Sequence, residues 1–277
     1  MKLLSWKVVL PQDEGRIREE EAADATAYLL DWGEEPKKRP AVVICPGGGY
    51  RHLSEREGEP VAMKFLAMGY HAFILRYRLA PVTFPAALQE LALLLAQIRQ
   101  HSEEWNVEPD KIVISGFSAG GHLACSLGAF WNQEFVYGPL GLTAEEIRPD
   151  GMILSYPVIT SGPHKHAGSF EKLLGDEAGN EEKRQLVSLE FQVGPHTPRT
   201  FLWHTATDET VPVENSLLLA DALIKNHVNL ELHIFPEGPH GLALATEDTS
   251  TGLKERVVPQ CQPWIDLAGV WLKNFYD

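Results

Sequence analysis

A chain of 277 residues, 44% hydrophobic and 22% charged, is long enough for one large α/β domain that buries roughly three quarters of its unfolded surface, so no disulfide or metal staple is required. That composition excludes a disordered tail or a fibrous repeat. The formal net charge of −14 repels phosphate backbones and anionic lipid, which argues against nucleic acid and membrane surfaces as partners.

Residues 3–10 and 25–32 read as antiparallel strands at a sheet edge. The opening apolar stretch is short and interrupted by Lys7, unlike a secretory signal. No run approaches the about 18 apolar residues of a membrane helix, so the expected location is the cytoplasm. Short, mostly apolar runs then recur at 41–45, 72–75, 112–114, 152–154, 201–203 and 230–235, the second following Gly69 and the others ending near Pro, Ser or Thr. Such runs suit strands covered on both faces, as in a parallel sheet.

Between the runs lie amphipathic helices. Leu88, Leu91, Leu95 and Ile98 share one face, Leu217, Ala220 and Ile224 another, and Trp264, Leu267, Ala268, Trp271 and Phe275 a third. With no repeat or linker, the alternation predicts a single three-layer α/β domain over 1–277, its mostly parallel sheet flanked by helices on both faces. Segments 131–149 and 160–198 depart from the rhythm and are expected to form a small loop-rich lid or the walls of a site. Cys45, Cys125 and Cys261 are odd in number and widely spaced, so reduced structural thiols are expected. No Cys/His spacing points to a metal.

The strongest chemical signal is Gly116-Phe117-Ser118-Ala119-Gly120-Gly121, between the run at 112–114 and a small-residue helix. In this G-x-S-x-G elbow a sharp strand-to-helix turn presents the serine hydroxyl at a helix N-terminus. Pro46-Gly47-Gly48-Gly49-Tyr50 follows the run ending at Cys45. Successive glycines expose backbone N–H groups as an oxyanion hole needs, and the candidate donors are the amides of Gly48, Gly49 and Ala119.

A serine nucleophile needs a base and the base needs an orienting carboxylate. Of the 11 histidines, His240 lies in a turn just past the last run, where a sheet's C-terminal edge would be. His204 sits in a strand and His122 beneath the elbow, both expected to pack. His164 and His166 read as a solvated loop or a metal pair, and His52 as a residue beside the site. Asp208, after the run at 201–203, is favoured as the acid over neighbouring Glu209. The order Ser118, Asp208, His240 is that of the α/β-hydrolases.

These motifs together resemble the acetyl esterase and lipase branch of the α/β-hydrolases. Arg76-Tyr77-Arg78-Leu79-Ala80-Pro81 with Phe84-Pro85-Ala86-Ala87-Leu88 resembles hormone-sensitive-lipase-like esterases. The Pro-Gly-Gly-Gly-Tyr form is similar to bacterial acetylxylan and xylo-oligosaccharide esterases. The resemblance runs from about residue 40 to the C-terminus. It departs at Cys45-Pro46, where the lipase-like group carries a histidine, and in lacking that group's long N-terminal cap. The two excursions are therefore expected to roof the pocket.

The resemblance implies a serine carboxylesterase that removes short acyl groups, acetyl above all, from sugars or xylo-oligosaccharides through an acyl-enzyme. It implies no cofactor and no metal, a small-molecule ester as partner, and a monomer or homodimer. Tyr50, Trp131, Phe135, Tyr137 and Phe170 are the aromatics expected to line a sugar site. An arylformamidase-like amidase or small serine peptidase on the same scaffold is the alternative. A non-catalytic binding relative is another, though it would not need all three of Ser118, Asp208 and His240.

Overall fold

The computed structural model describes residues 1–31 and 37–276, with side chains through Asn274. Eight strands form one sheet: β1 (Lys2–Val8), β2 (Ala23–Leu29), β3 (Arg39–Cys45), β4 (His71–Arg76), β5 (Val107–Phe117), β6 (Gly151–Ser155), β7 (Thr200–Thr205) and β8 (Leu230–Phe235). Their spatial order is β1-β2-β4-β3-β5-β6-β7-β8. β1 and β2 run antiparallel at the edge, as expected, and β3 through β8 are mutually parallel. The expected end of the second strand at position 32, and the side chain of Phe275, lie outside the described residues.

Both faces of β3 through β7 are covered, which is why those runs lack a polar alternation. β8, expected to be covered as well, forms the sheet's other edge, is only half-buried and alternates Leu230, Glu231, Leu232, His233. In β3, Ala41, Val43 and Cys45 belong to one core, and Val42 and Ile44 to the other. The first core takes α2 (Ala86–Gln100), α3 (Ala119–Phe130) and α5 (Glu214–Lys225). The second takes α1 (Glu59–Ala67) and α6 (Trp264–Tyr276). Leu88, Leu91, Leu95 and Ile98 of α2 are all buried, as their spacing predicts.

The face of α5 differs from the expectation. Leu217 is 46% and Ile224 61% exposed, whereas Leu219, Ala220 and Leu223 are buried together with Asn215 and Ser216. Polar anchors set the rotation: Asn215 Oδ1 accepts from the amides of Ile159 and Thr160, and Ser216 Oγ bonds His204 Nδ1. Those buried groups must be satisfied, and the apolar stripe turns with them.

The excursions also divide. Segment 131–149 packs against the α2 side of the sheet, with the Phe135 ring 5.4 Å from Phe130 and 6.0 Å from Phe84. The 160–198 segment holds α4 (Ala167–Leu174), which borders the cavity described below. Among the described residues no helix is long and apolar enough to cross a membrane.

Candidate active site

β5 ends at Phe117 and α3 begins at Ala119, so Ser118 carries the whole reversal at φ 54° and ψ −118°. A non-glycine residue rarely adopts this conformation unless its surroundings impose it. Two close approaches do so here. A Cβ on Gly116 would lie 2.2 Å from the Gly120 carbonyl oxygen, and one on Gly120 would lie 2.1 Å from that of Cys45. Only glycine lets α3 dock so tightly on β3 and β5. The Ser118 amide donates to the Ser155 carbonyl, and its own carbonyl accepts from the amides of His122 and Val158.

The three polar residues singled out by the sequence meet at the C-terminal edge of the sheet. His240 Nε2 lies 2.8 Å from Ser118 Oγ, and His240 Nδ1 lies 2.6 Å from Asp208 Oδ2. Asp208 Oδ1 accepts from the amides of Thr210 and Val211, each at 2.9 Å. His204 does more than pack. Its Nε2 donates to the Val211 carbonyl at 2.9 Å and sits 3.3 Å from Asp208 Oδ2, while Nδ1 faces Ser216 Oγ. Burial alone would push the Asp208 carboxyl up, but bonds from His204 and His240, the His240 charge and the Val211 amide outweigh it. They hold the carboxyl well below the usual carboxylate range. Glu209, the alternative acid, is exposed.

The glycine loop and the histidine loop are tied together. Glu57, 2% exposed, accepts the Gly47 amide on Oε2 and the Tyr156 hydroxyl on Oε1, both at 2.8 Å. The Tyr156 hydroxyl in turn accepts from the Ala243 amide, and its ring stands edge-on to His240 at 5.1 Å. Arg56 Nη1 holds the carbonyls of Gly241 and Thr249. The Gly47 amide is committed to Glu57, whereas Gly48 and Gly49 line the cavity and Ala119 is the first residue of α3. Gly48, at φ +129°, has no room for a side chain: a Cβ there would lie 2.0 Å from the His52 carbonyl oxygen.

A cavity of about 460 Å³ opens over Ser118 and His240 and is lined by Gly48, Gly49, His52 and His166, among others. Of the residues expected around a substrate, His52 is on this wall and the aromatics are not. Tyr50 is buried behind the glycine loop, its hydroxyl 2.8 Å from His122 Nδ1. Phe170 is buried edge-on to His122 at 5.5 Å. Trp131 donates its ring N–H to the His196 carbonyl beneath the Arg148 guanidinium. Phe135 lies in the Phe84–Phe130 cluster. Tyr137, two residues further along the same one-turn helix (Glu134–Tyr137), packs against the core of the sheet's α2 side. These rings found apolar or ring partners in their own layer, which burial rewards more than exposure at a cavity mouth.

Sequence reasoning missed several lining residues: Arg51, Arg56, Glu57, His166, Glu171, Lys172 and Arg256. His166, expected with His164 to be solvated loop or a metal pair, forms part of the wall and bonds Ser169 Oγ at 2.8 Å. Among the described residues no cluster of three His, Cys, Asp or Glu side chains could hold a metal ion. All three cysteines are buried and free.

His122 packs beneath the elbow, with Nε2 donating to the Val187 carbonyl at 2.9 Å and Nδ1 accepting from Tyr50. Burial, against that carbonyl bond, holds its ring at about 4 instead of the ordinary 6.5. Between those values the unfolded chain binds a proton that the folded chain does not. This contribution is therefore fully present above about pH 6.5 and falls as pH drops through the window, by about 3 kcal/mol in all. Urea midpoints should drop between pH 7 and pH 5, and His122→Gln should flatten that dependence. An unchanged slope in the variant would remove His122 as its source.

A mostly parallel sheet in this order, a serine elbow at its centre and a hydrogen-bonded Asp–His pair at its C-terminal edge define the α/β-hydrolase class. A family model described as BD-FAE matches residues 30–223. The chain belongs to that family. It is similar to endo-1,4-beta-xylanase B of Butyrivibrio fibrisolvens, 38% identical over 82% of this chain and 35% of the relative. It is also similar to an acetylxylan esterase of Xylanibacter ruminicola, 31% identical over 80% of this chain and 45% of the relative. The chain thus spans less than half the length of either. Among solved structures, an acetyl ester-xyloside bifunctional hydrolase from Caldicellulosiruptor lactoaceticus superposes with a TM-score of 0.84 at 35% identity, over 99% of this chain and 96% of the other. A carboxylesterase from Lactobacillus plantarum gives 0.85 at 30% identity, over 99% and 98%.

Proposed function

We propose that the chain is a carboxylic ester hydrolase that works through a serine acyl-enzyme and removes short acyl groups, acetyl above all, from sugars. The observation that carries this reading is the unbroken relay from Ser118 Oγ through His240 to Asp208, at 2.8 and 2.6 Å, opening on a cavity.

His240 Nε2 takes the Ser118 proton as Oγ attacks the ester carbonyl carbon. The tetrahedral oxyanion is received by the amides of Gly48, Gly49 and Ala119, where each donor is worth on the order of 3 kcal/mol. The C–O bond to the alcohol breaks and the alcohol leaves with the proton from His240. Water then attacks the acyl-enzyme with His240 again as base, releasing the acid and restoring Ser118. Asp208 holds Nδ1–H and stabilises the imidazolium without taking its proton.

The sugar acetyl ester is supported by two relatives whose names specify acetylxylan and an acetyl ester-xyloside. Rates on p-nitrophenyl acetate, butyrate and octanoate test the acyl preference, with acetate expected to be cleaved fastest. Faster cleavage of octanoate would overturn it. Turnover of N-formylkynurenine exceeding that of every ester would replace ester hydrolysis with amide hydrolysis.

A further inference from the structure

The cavity over Ser118 is charged against the grain of the chain. Acidic residues outnumber basic ones 38 to 24 over the whole sequence. On the cavity wall Arg51, Arg56, Lys172 and Arg256 face only Glu57 and Glu171, four positive charges against two. Both Glu57 oxygens accept bonds, from the Gly47 amide and the Tyr156 hydroxyl, so its charge offsets part of the positive wall without offering a free acceptor. Nearby Glu55 turns outward to Arg76.

Arg56 and Arg256 line the same cavity. Burial first, and then the Arg56 charge, holds the Arg256 guanidinium below its ordinary value against the opposing charges of Glu255 and Glu57. Each is fixed in place by one nitrogen: Arg56 Nη1 by the Gly241 and Thr249 carbonyls, and Arg256 Nη1 by Thr251 Oγ1. A guanidinium has five N–H donors in a rigid fork, so each keeps further donors for a ligand. Two half-buried like charges on one wall repel, and an anion between them relieves the repulsion.

Neutral sugars are commonly held by stacking on aromatic faces. Among the described residues this wall contains no Trp, Tyr or Phe. Its recognition chemistry is cationic.

We infer that the natural substrate carries a carboxylate on its alcohol portion, as in an acylated uronic acid or an oligosaccharide bearing one, and that Arg256 with Arg56 receives it. The inference rests on the short-acyl esterase reading, because an acetyl group has no atom to bear the charge. The anion must then belong to the alcohol side.

A mono-O-acetylated methyl glucuronoside and its uronamide differ only in charge and form the test pair, with p-nitrophenyl acetate as reference. The wild-type kcat/KM should favour the acid by about 10-fold to 100-fold in 20 mM NaCl, the range for a charge-assisted hydrogen bond. That preference should shrink in 500 mM NaCl. Arg256→Gln should bring the acid-to-amide ratio towards one. Lys172→Gln, on the exposed rim, should lower it by a smaller factor.

A wild-type ratio at or below one, with both sugars hydrolysed, overturns the inference and leaves the esterase reading standing. Cleavage of p-nitrophenyl acetate with neither sugar touched does the same. A high ratio that survives Arg256→Gln overturns the assignment to that arginine. Failure on all three substrates removes the esterase reading and the inference with it.

Discussion

Ser118→Ala will lower kcat by about four to six orders of magnitude and abolish labelling by a fluorophosphonate probe, while leaving the melting temperature nearly unchanged. The two effects separate because Ser118 serves the fold through its backbone and the chemistry through its hydroxyl. Its amide bonds to Ser155 and its carbonyl bonds to His122 and Val158 all survive the substitution. The left-handed φ of 54° costs alanine no more steric strain than serine. The hydroxyl, by contrast, is bonded to His240 Nε2, and removing it deletes the proposed nucleophile. The glycine amides would still bind an oxyanion, so a residual rate above the uncatalysed one is expected. Near-normal turnover or labelling of the variant would show that another residue carries the acyl group.

The second large effect is expected at Asp208. Asp208→Asn should cost about four orders of magnitude in kcat and, unlike the serine change, should also lower the melting temperature by several degrees. Every neighbour of this carboxylate is a donor: the Thr210 and Val211 amides on Oδ1, and His240 Nδ1 and His204 Nε2 around Oδ2. An asparagine NH2 group must face one of these pairs whichever way the amide is turned. Toward His240 it favours the wrong imidazole tautomer. Toward the backbone it leaves buried donors unmatched, which costs about 1–3 kcal/mol. Glu209→Gln, at an exposed position, should change kcat less than twofold. Should Glu209→Gln be the crippling substitution and Asp208→Asn the silent one, the acid has been misassigned.

His204 shows where local pattern falls short. In the chain it is one more residue of a strand, and its burial in β7 agrees with packing. That its ring also supports the acid follows from the turn that brings Asp208 back beneath it, a geometry no periodicity encodes. The face of α5 was misread for a related reason. Apolar spacing selected Leu217 and Ile224, but buried bonds of Asn215 and Ser216 set the rotation, and an unmatched buried polar group costs more than an exposed leucine.

The residues proposed for catalysis were legible because their signals are local. An elbow needs glycines at fixed offsets from its serine, and strands buried on both faces need unbroken apolar runs. Both are consequences of sterics and burial acting over a few residues. The lining of the cavity was not legible. Its cations come from the loop after the glycines, from α4 and from the turn before α6, and each alone looks like solvated surface charge. The aromatics that seemed suited to a sugar are drawn into the layers of the fold, where burying them gains more. Sequence therefore determined the class and singled out the residues proposed to react, whose chemistry travels with short motifs. Tertiary structure alone decided the sign of the field around them, because charge at a site is summed through space and not along the chain.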